Sequence, residues 1–102
     1  MVKNEEDEIN IAIFRGKAIR RKIVDNEWFF SVVDVVGALT DSEDPNDYWY
    51  RLKVREKEGS GIELSTFCRQ LKLIAEDGKQ RETDCADTEG IFRVIQSIPS
   101  RK

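Results

Sequence analysis

The sequence contains no histidine, so it lacks the side chain that most often serves as a general base or a metal ligand. Its two cysteines, Cys68 and Cys85, have neither C-x-x-C spacing nor a neighbouring set of ligands, which makes a zinc site a poor interpretation. We expect two buried or half-buried free thiols in a reduced compartment. We also expect no metal, no cofactor and no enzymatic activity, because no carboxylate or nucleophile stands at a catalytic spacing.

Long apolar runs are missing as well. No stretch approaches the roughly 20 residues of a membrane span. The first ten residues, MVKNEEDEIN, contain nothing like the apolar centre of a secretory signal. The expected location is therefore the cytoplasm, with no membrane partner. At 102 residues, the chain has the length of one domain with a single core.

The formal net charge of −3 comes entirely from the N-terminal end. Residues 1–8 contain one base, Lys3, and four acids: Glu5, Glu6, Asp7 and Glu8. Acids and bases balance over residues 9–102, so we predict a solvated acidic tail at 1–8 and one domain at 9–102. The overall charge therefore says little about a polyanionic partner, because such binding depends on local patches.

Strand patterns dominate the beginning of the predicted domain. The segment Ile9–Gly16 alternates apolar and polar residues, which predicts a strand. Two further apolar runs flank the turn pair Asp25 and Asn26, so we predict a meander of two or three antiparallel strands. We expect its solvent side to carry Arg20, Arg21 and Lys22.

The valine-rich stretch after this meander is ambiguous, because valine favours strands. Ser31 and Asp34, however, have the spacing of a capping box, which predicts a helix over residues 31–39. Asp34 is then a helix cap rather than a catalytic carboxylate. One face of that helix should be formed by Val32, Val33, Val36 and Leu39.

A second helix is predicted over residues 44–58. Asp44 suits the N-cap, and Pro45 suits the first helical position, where its missing N–H costs nothing. The helix should turn three residues towards the core: Tyr48, Trp49 and Leu52.

The rest of the chain predicts a hairpin and a third helix. Asp77 and Gly78 separate two alternating runs over residues 69–85, which is a strong hairpin signal. Asp87 or Thr88 should cap a last helix that Pro99 ends, with Ile91, Phe92 and Ile95 pointing inward. We therefore predict a small α+β domain: an antiparallel sheet, made of the N-terminal meander and the later hairpin, packed with about three helices.

Basic residues concentrate on the second helix and on the hairpin. A solvated edge and a phosphate-binding surface both account for such cations, and a two-stranded ribbon fits a major groove. The candidate DNA contacts are Arg51, Lys53, Arg55, Lys57, Lys79 and Arg81.

Two segments resemble a known family. WFFSVVDVVGAL is similar to the F-V-x-x-D-V-x-x-x-L signature of the BRO-type N-terminal (Bro-N) domain of phage antirepressors, and GIFRVIQSIPSRK is similar to that family's closing helix. The run from Cys68 to Ser100 resembles the bacterial DNA-damage-inducible protein D branch. This chain departs from the family pattern at three positions. Thr40 stands where a glycine is frequent, Val33 where a lysine is frequent, and Phe92 where a tyrosine is frequent.

The resemblance implies an α+β DNA-binding domain of a prophage or DNA-damage regulatory protein. Because that branch continues beyond the position of Lys102, we expect an N-terminal domain excised from a longer protein, with a natural short form as the alternative. It also implies an alternative of another class, since antirepressors act by capturing proteins. In that alternative, the acidic stretch Asp41–Asp47 would meet a basic repressor or recombination protein. DNA is thus the first expected partner and a regulatory protein the second.

Overall fold

A computed structural model describes residues 18–99 of the chain. Within this range the strands are β1 (Arg21–Val24), β2 (Glu27–Ser31), β3 (Arg69–Ile74) and β4 (Gln80–Ala86). The helices are α1 (Val32–Thr40), α2 (Pro45–Ser60), a short 3-10 helix (Leu64–Phe67) and α3 (Thr88–Ser97). The predicted strand Ile9–Gly16 and the predicted acidic tail lie outside the described residues.

The four described strands form one curled antiparallel sheet in the order β1-β2-β4-β3. The β1–β2 hairpin turns at Asp25 and Asn26, which both have positive φ (53° and 66°), as a tight turn matched to the strand twist requires. The β3–β4 hairpin turns around Gly78, whose φ is 84°. The predicted α+β class, with a small sheet and three helices, is confirmed.

Helix α1 lies at the centre of the core. Val32, Val35 and Val36 are fully buried, because α2, α3 and the sheet surround the helix on several sides. The predicted face omitted the buried Val35. Its other members are confirmed as core-facing, since Val33 and Leu39 are half-buried and pack against the core.

Helix α2 begins and ends on residues suited to those positions. The Asp44 side chain accepts a hydrogen bond from the Asp47 backbone N–H at 3.1 Å, and Pro45 follows it as predicted. The helix continues to Ser60, slightly beyond the predicted end, and Gly61 closes it with a φ of 81°. Its core-facing side consists of the buried Trp49 and Leu52 and the half-buried Tyr48, which confirms the predicted face.

Helix α3 confirms its predicted cap and corrects its predicted face. The Asp87 side chain accepts a hydrogen bond from the Gly90 N–H at 2.9 Å. Ile91 and Val94 are buried, whereas Phe92 is 62% exposed. Successive helical residues are about 100° apart, so the position after Ile91 is turned away from the core.

Both cysteines are free, and their positions agree with the prediction. Cys85 is buried in a small cluster inside the curled sheet, together with Phe29 and Leu73. Cys68 is half-buried. Burial raises the pKa of Cys68 to about 12 and that of Cys85 to about 11, so both thiols stay protonated and unreactive at neutral pH.

Candidate nucleic-acid interface

Helix α2 presents its four candidate cations as two separate pairs. We call Arg51 and Arg55 the arginine flank, and Lys53 and Lys57 the lysine flank. Within each pair the residues are four positions apart, so they lie one above the other on the helix surface. The two pairs face different parts of the molecule, which determines what each can bind.

The arginine flank lines an open groove of about 400 Å³ beside the loop that joins α1 to α2. Both arginines are exposed. Three acids line the same groove: Glu43, Asp44 and Asp47. The groove is therefore mixed in charge rather than uniformly basic.

Arg51 already has a carboxylate partner one turn before it. Its Nε and Nη2 atoms donate to the same Asp47 oxygen at 2.9 and 2.7 Å. This hydrogen bond raises the pKa of Arg51. The pair is exposed, at 75% for Arg51 and 47% for Asp47, so solvent screens it and it contributes little to stability. Among residues 18–99, Arg55 has no carboxylate partner.

The lysine flank is held by other elements of the fold. Lys53 Nζ lies 3.5 Å from an Asp84 oxygen on β4 and 5.0 Å from the centre of the Trp49 ring. Only 30% of the Lys53 side chain is exposed. Lys57 pairs with Glu63 at 2.9 Å, and that hydrogen bond raises the pKa of Lys57.

The Asp84 carboxylate binds several donors where β4 packs against α2. Its carboxylate accepts hydrogen bonds from Trp49 Nε1 and Gln70 Nε2, both at 2.8 Å. Burial alone would raise the pKa of Asp84, but these two hydrogen bonds and the Lys53 ammonium together lower it. Asp84 thus stays ionised and fixes Trp49 and Lys53 in place.

The hairpin cations are not joined to the arginine flank by a continuous basic face. Arg81 pairs with Asp77, which lowers the pKa of that carboxyl. Lys79 has no carboxylate partner in the described part of the chain. Arg81 and Asp77 line a second groove of about 790 Å³, opposite the acidic loop residues Glu43 and Asp44. Glu43 and Asp44 line both grooves, so acids lie between the arginine flank and the hairpin cation Arg81.

Arg20 is a structural residue that the sequence patterns missed. It was predicted on the solvent side, but it is half-buried, with Nε and Nη2 donating to the Asp34 carboxylate at 2.8 and 3.1 Å. Its Nη1 donates to the Ile74 carbonyl at 2.9 Å. The capping box is accordingly half-formed, since Ser31 Oγ accepts from the Asp34 N–H while the Asp34 carboxylate binds Arg20.

The neighbouring Arg21 also departs from the predicted solvent side. It is half-buried and lies over the Trp28 ring, 4.3 Å from the ring centre. Lys22 is exposed as predicted, and its Nζ donates to the Lys72 carbonyl at 3.2 Å. Arg20 and Lys22 therefore link β1 to the outer edge of β3.

No group of three or more histidine, cysteine or acidic residues within residues 18–99 could hold a metal ion. None of the described helices is long and apolar enough to cross a membrane.

Comparison with known proteins adds no relative. No protein-family model, curated protein or solved structure matches the chain. The Bro-N resemblance therefore remains a prediction.

Proposed function

We propose that this domain is a DNA-binding module of an antirepressor-type regulatory protein, and that the arginine flank of α2 contacts the phosphate backbone. The observation that supports this most is that two exposed guanidinium groups, one turn apart, line the same open groove. Arginine binds phosphate through paired N–H donors, and neighbouring arginines can follow one strand. The resemblance of the WFFSVVDVVGAL segment to Bro-N domains supports the same function.

The proposed surface is small, so we expect modest affinity. The two arginines can make at most two phosphate contacts, which sets a limit of about −2 on their share of the log–log salt slope. Lys79 can add a contact directly, whereas Lys57 and Arg81 must first release Glu63 and Asp77. Exposed ion pairs of this kind are screened by solvent and contribute little to stability, so that exchange is feasible. We leave Lys53 out of the proposed surface, because Asp84 and Trp49 hold it against the fold.

Fluorescence anisotropy with labelled duplex and single-stranded DNA tests the proposal. We expect binding at about 50 mM NaCl that weakens with salt. Arg55→Ala should weaken binding to DNA of unrelated sequences by similar factors. It should also make the log–log salt slope shallower by about 0.9. The matched control is Arg93→Ala, which removes an equal charge from α3, where Arg93 stacks on Phe67. No binding by the unmodified domain, or equal effects of the two variants, would contradict the proposal.

A second candidate function is capture of a basic protein surface. The groove of about 790 Å³ brings Glu43 and Asp44 of the acidic loop together with Glu76 and Asp77 of the hairpin turn. Its two arginines are already engaged, Arg20 by Asp34 and Arg81 by Asp77, which leaves the groove with an acidic excess.

Calorimetry with an arginine-rich peptide tests this second candidate. The peptide should bind, and its glutamine-substituted counterpart should not. The double variant Glu43→Lys with Glu76→Lys should abolish binding of the peptide. It leaves Asp44 in place, so the N-cap of α2 is kept. Equal binding of both peptides, or unchanged binding by the variant, would exclude the groove as a docking site for basic partners.

A further inference from the structure

Three exposed cations of the proposed DNA surface share one property. Arg51, Lys57 and Arg81 each contact a carboxylate of their own or a nearby segment. The two residues of the arginine flank differ in this property. The Asp47 carboxylate binds the Arg51 guanidinium, whereas Arg55 has no carboxylate partner within residues 18–99.

We infer that Asp47 is an autoinhibitory residue of this site, whose carboxylate holds the edge of Arg51 that a DNA phosphate would otherwise bind. The inference rests on the proposed DNA-binding function. Asp47 takes the Nε and Nη2 donors of Arg51 at 2.9 and 2.7 Å. A phosphate uses the same pair of donors in a bidentate contact, so the two anions compete directly.

The competition is weak enough to be reversible. Both side chains of the pair are exposed, so solvent screens their attraction and phosphate can displace the carboxylate. Asp47 nevertheless stays beside the site and repels the incoming phosphate. Arg51 therefore adds little to binding in the unmodified domain, and Arg55 carries most of the contact.

Asp47 can be neutralised without removing the helix cap. The cap is formed by the Asp44 carboxylate and the backbone N–H of residue 47, which a side-chain change leaves in place. Glu89 offers a matched control, because it too is an acid in the first turn of a helix, α3. Asp47→Asn and Glu89→Gln each remove one negative charge from the first turn of a helix. Each variant therefore also loses a similar favourable interaction between that charge and the helix dipole.

The experiment measures DNA affinity of both variants across salt. Asp47→Asn should bind more tightly than the unmodified domain, with a slope steeper by about 0.9, since one more phosphate contact releases counterions. Its gain should then be about threefold larger at 50 mM than at 200 mM NaCl. Glu89→Gln should change neither the slope nor the affinity beyond a small uniform charge effect.

Asp47 could weaken DNA binding by holding the donors of Arg51 or by repelling the phosphates in general, and a double-mutant cycle distinguishes these two effects. Arg51→Ala should cost little affinity in the unmodified domain and several-fold more in the Asp47→Asn background. If the unmodified domain binds DNA through Arg55 but Asp47→Asn behaves like Glu89→Gln, the inference is wrong and the proposed function stands. If neither the unmodified domain nor Asp47→Asn binds DNA at low salt, both are wrong.

Discussion

The two flanks of helix α2 carry cations at the same spacing, yet their surroundings differ. On the lysine flank, Lys53 packs against Trp49 and pairs with Asp84 of β4, and Lys57 pairs with Glu63. The arginine flank borders an open groove instead. Helical spacing alone therefore does not identify a binding surface. The neighbouring elements decide whether a cation supports the fold or remains available to a partner.

Replacing Trp49 by alanine should disturb the lysine flank most. The ring is 3% exposed, and its Nε1 donates to Asp84. We expect the free energy of unfolding to fall by about 3–5 kcal/mol in urea denaturation. Tyr50→Ala changes the next residue, which is 63% exposed, and should cost less than about 0.5 kcal/mol. Equal losses in the two variants would show that Trp49 has been wrongly assigned to the core-facing side of α2.

Asp84→Ala should have the next largest effect. It leaves Trp49 Nε1 without its acceptor and Lys53 without its carboxylate, so we expect a loss of about 1–3 kcal/mol in urea denaturation. Glu82→Ala on the same strand is the control, because Glu82 is exposed. A loss from Glu82→Ala as large as that from Asp84→Ala would refute the role given to Asp84.

The Asp84 effect should also depend on pH in a definite direction. The pKa of Asp84 is lower in the folded state than in the unfolded state, so its ionised form stabilises the fold. This contribution is complete above about pH 4 and is lost as the pH falls through the folded-state pKa. The difference in unfolding free energy between the unmodified domain and Asp84→Ala should therefore shrink below about pH 4.

Local patterns predicted much of the fold. Asp44 and Pro45 predicted where α2 begins, and Asp77 with Gly78 predicted the β3–β4 hairpin. These signals depend on neighbouring residues, so the sequence displays them directly. Trp49 was correctly placed in the core, because it shares a helical face with Leu52.

Long-range partners could not be predicted in the same way. Nothing in the sequence relates Arg20 to Asp34 or Lys53 to Asp84, because only the folded chain brings these residues together. Spacing therefore grouped Lys53 with the exposed cations, although β4 holds it.

A side-chain NMR titration would show directly whether the arginine flank contacts DNA. The resonances of the arginine Nε–H groups and of the Trp49 indole N–H would be followed as duplex DNA is added at low salt and then released by salt. We predict salt-reversible shifts of Arg55 Nε–H and smaller shifts of Arg51 Nε–H, while the Trp49 indole N–H stays in place against Asp84. Shifts of the Trp49 indole N–H with unchanged arginine resonances would contradict the assignment of DNA contact to the arginine flank.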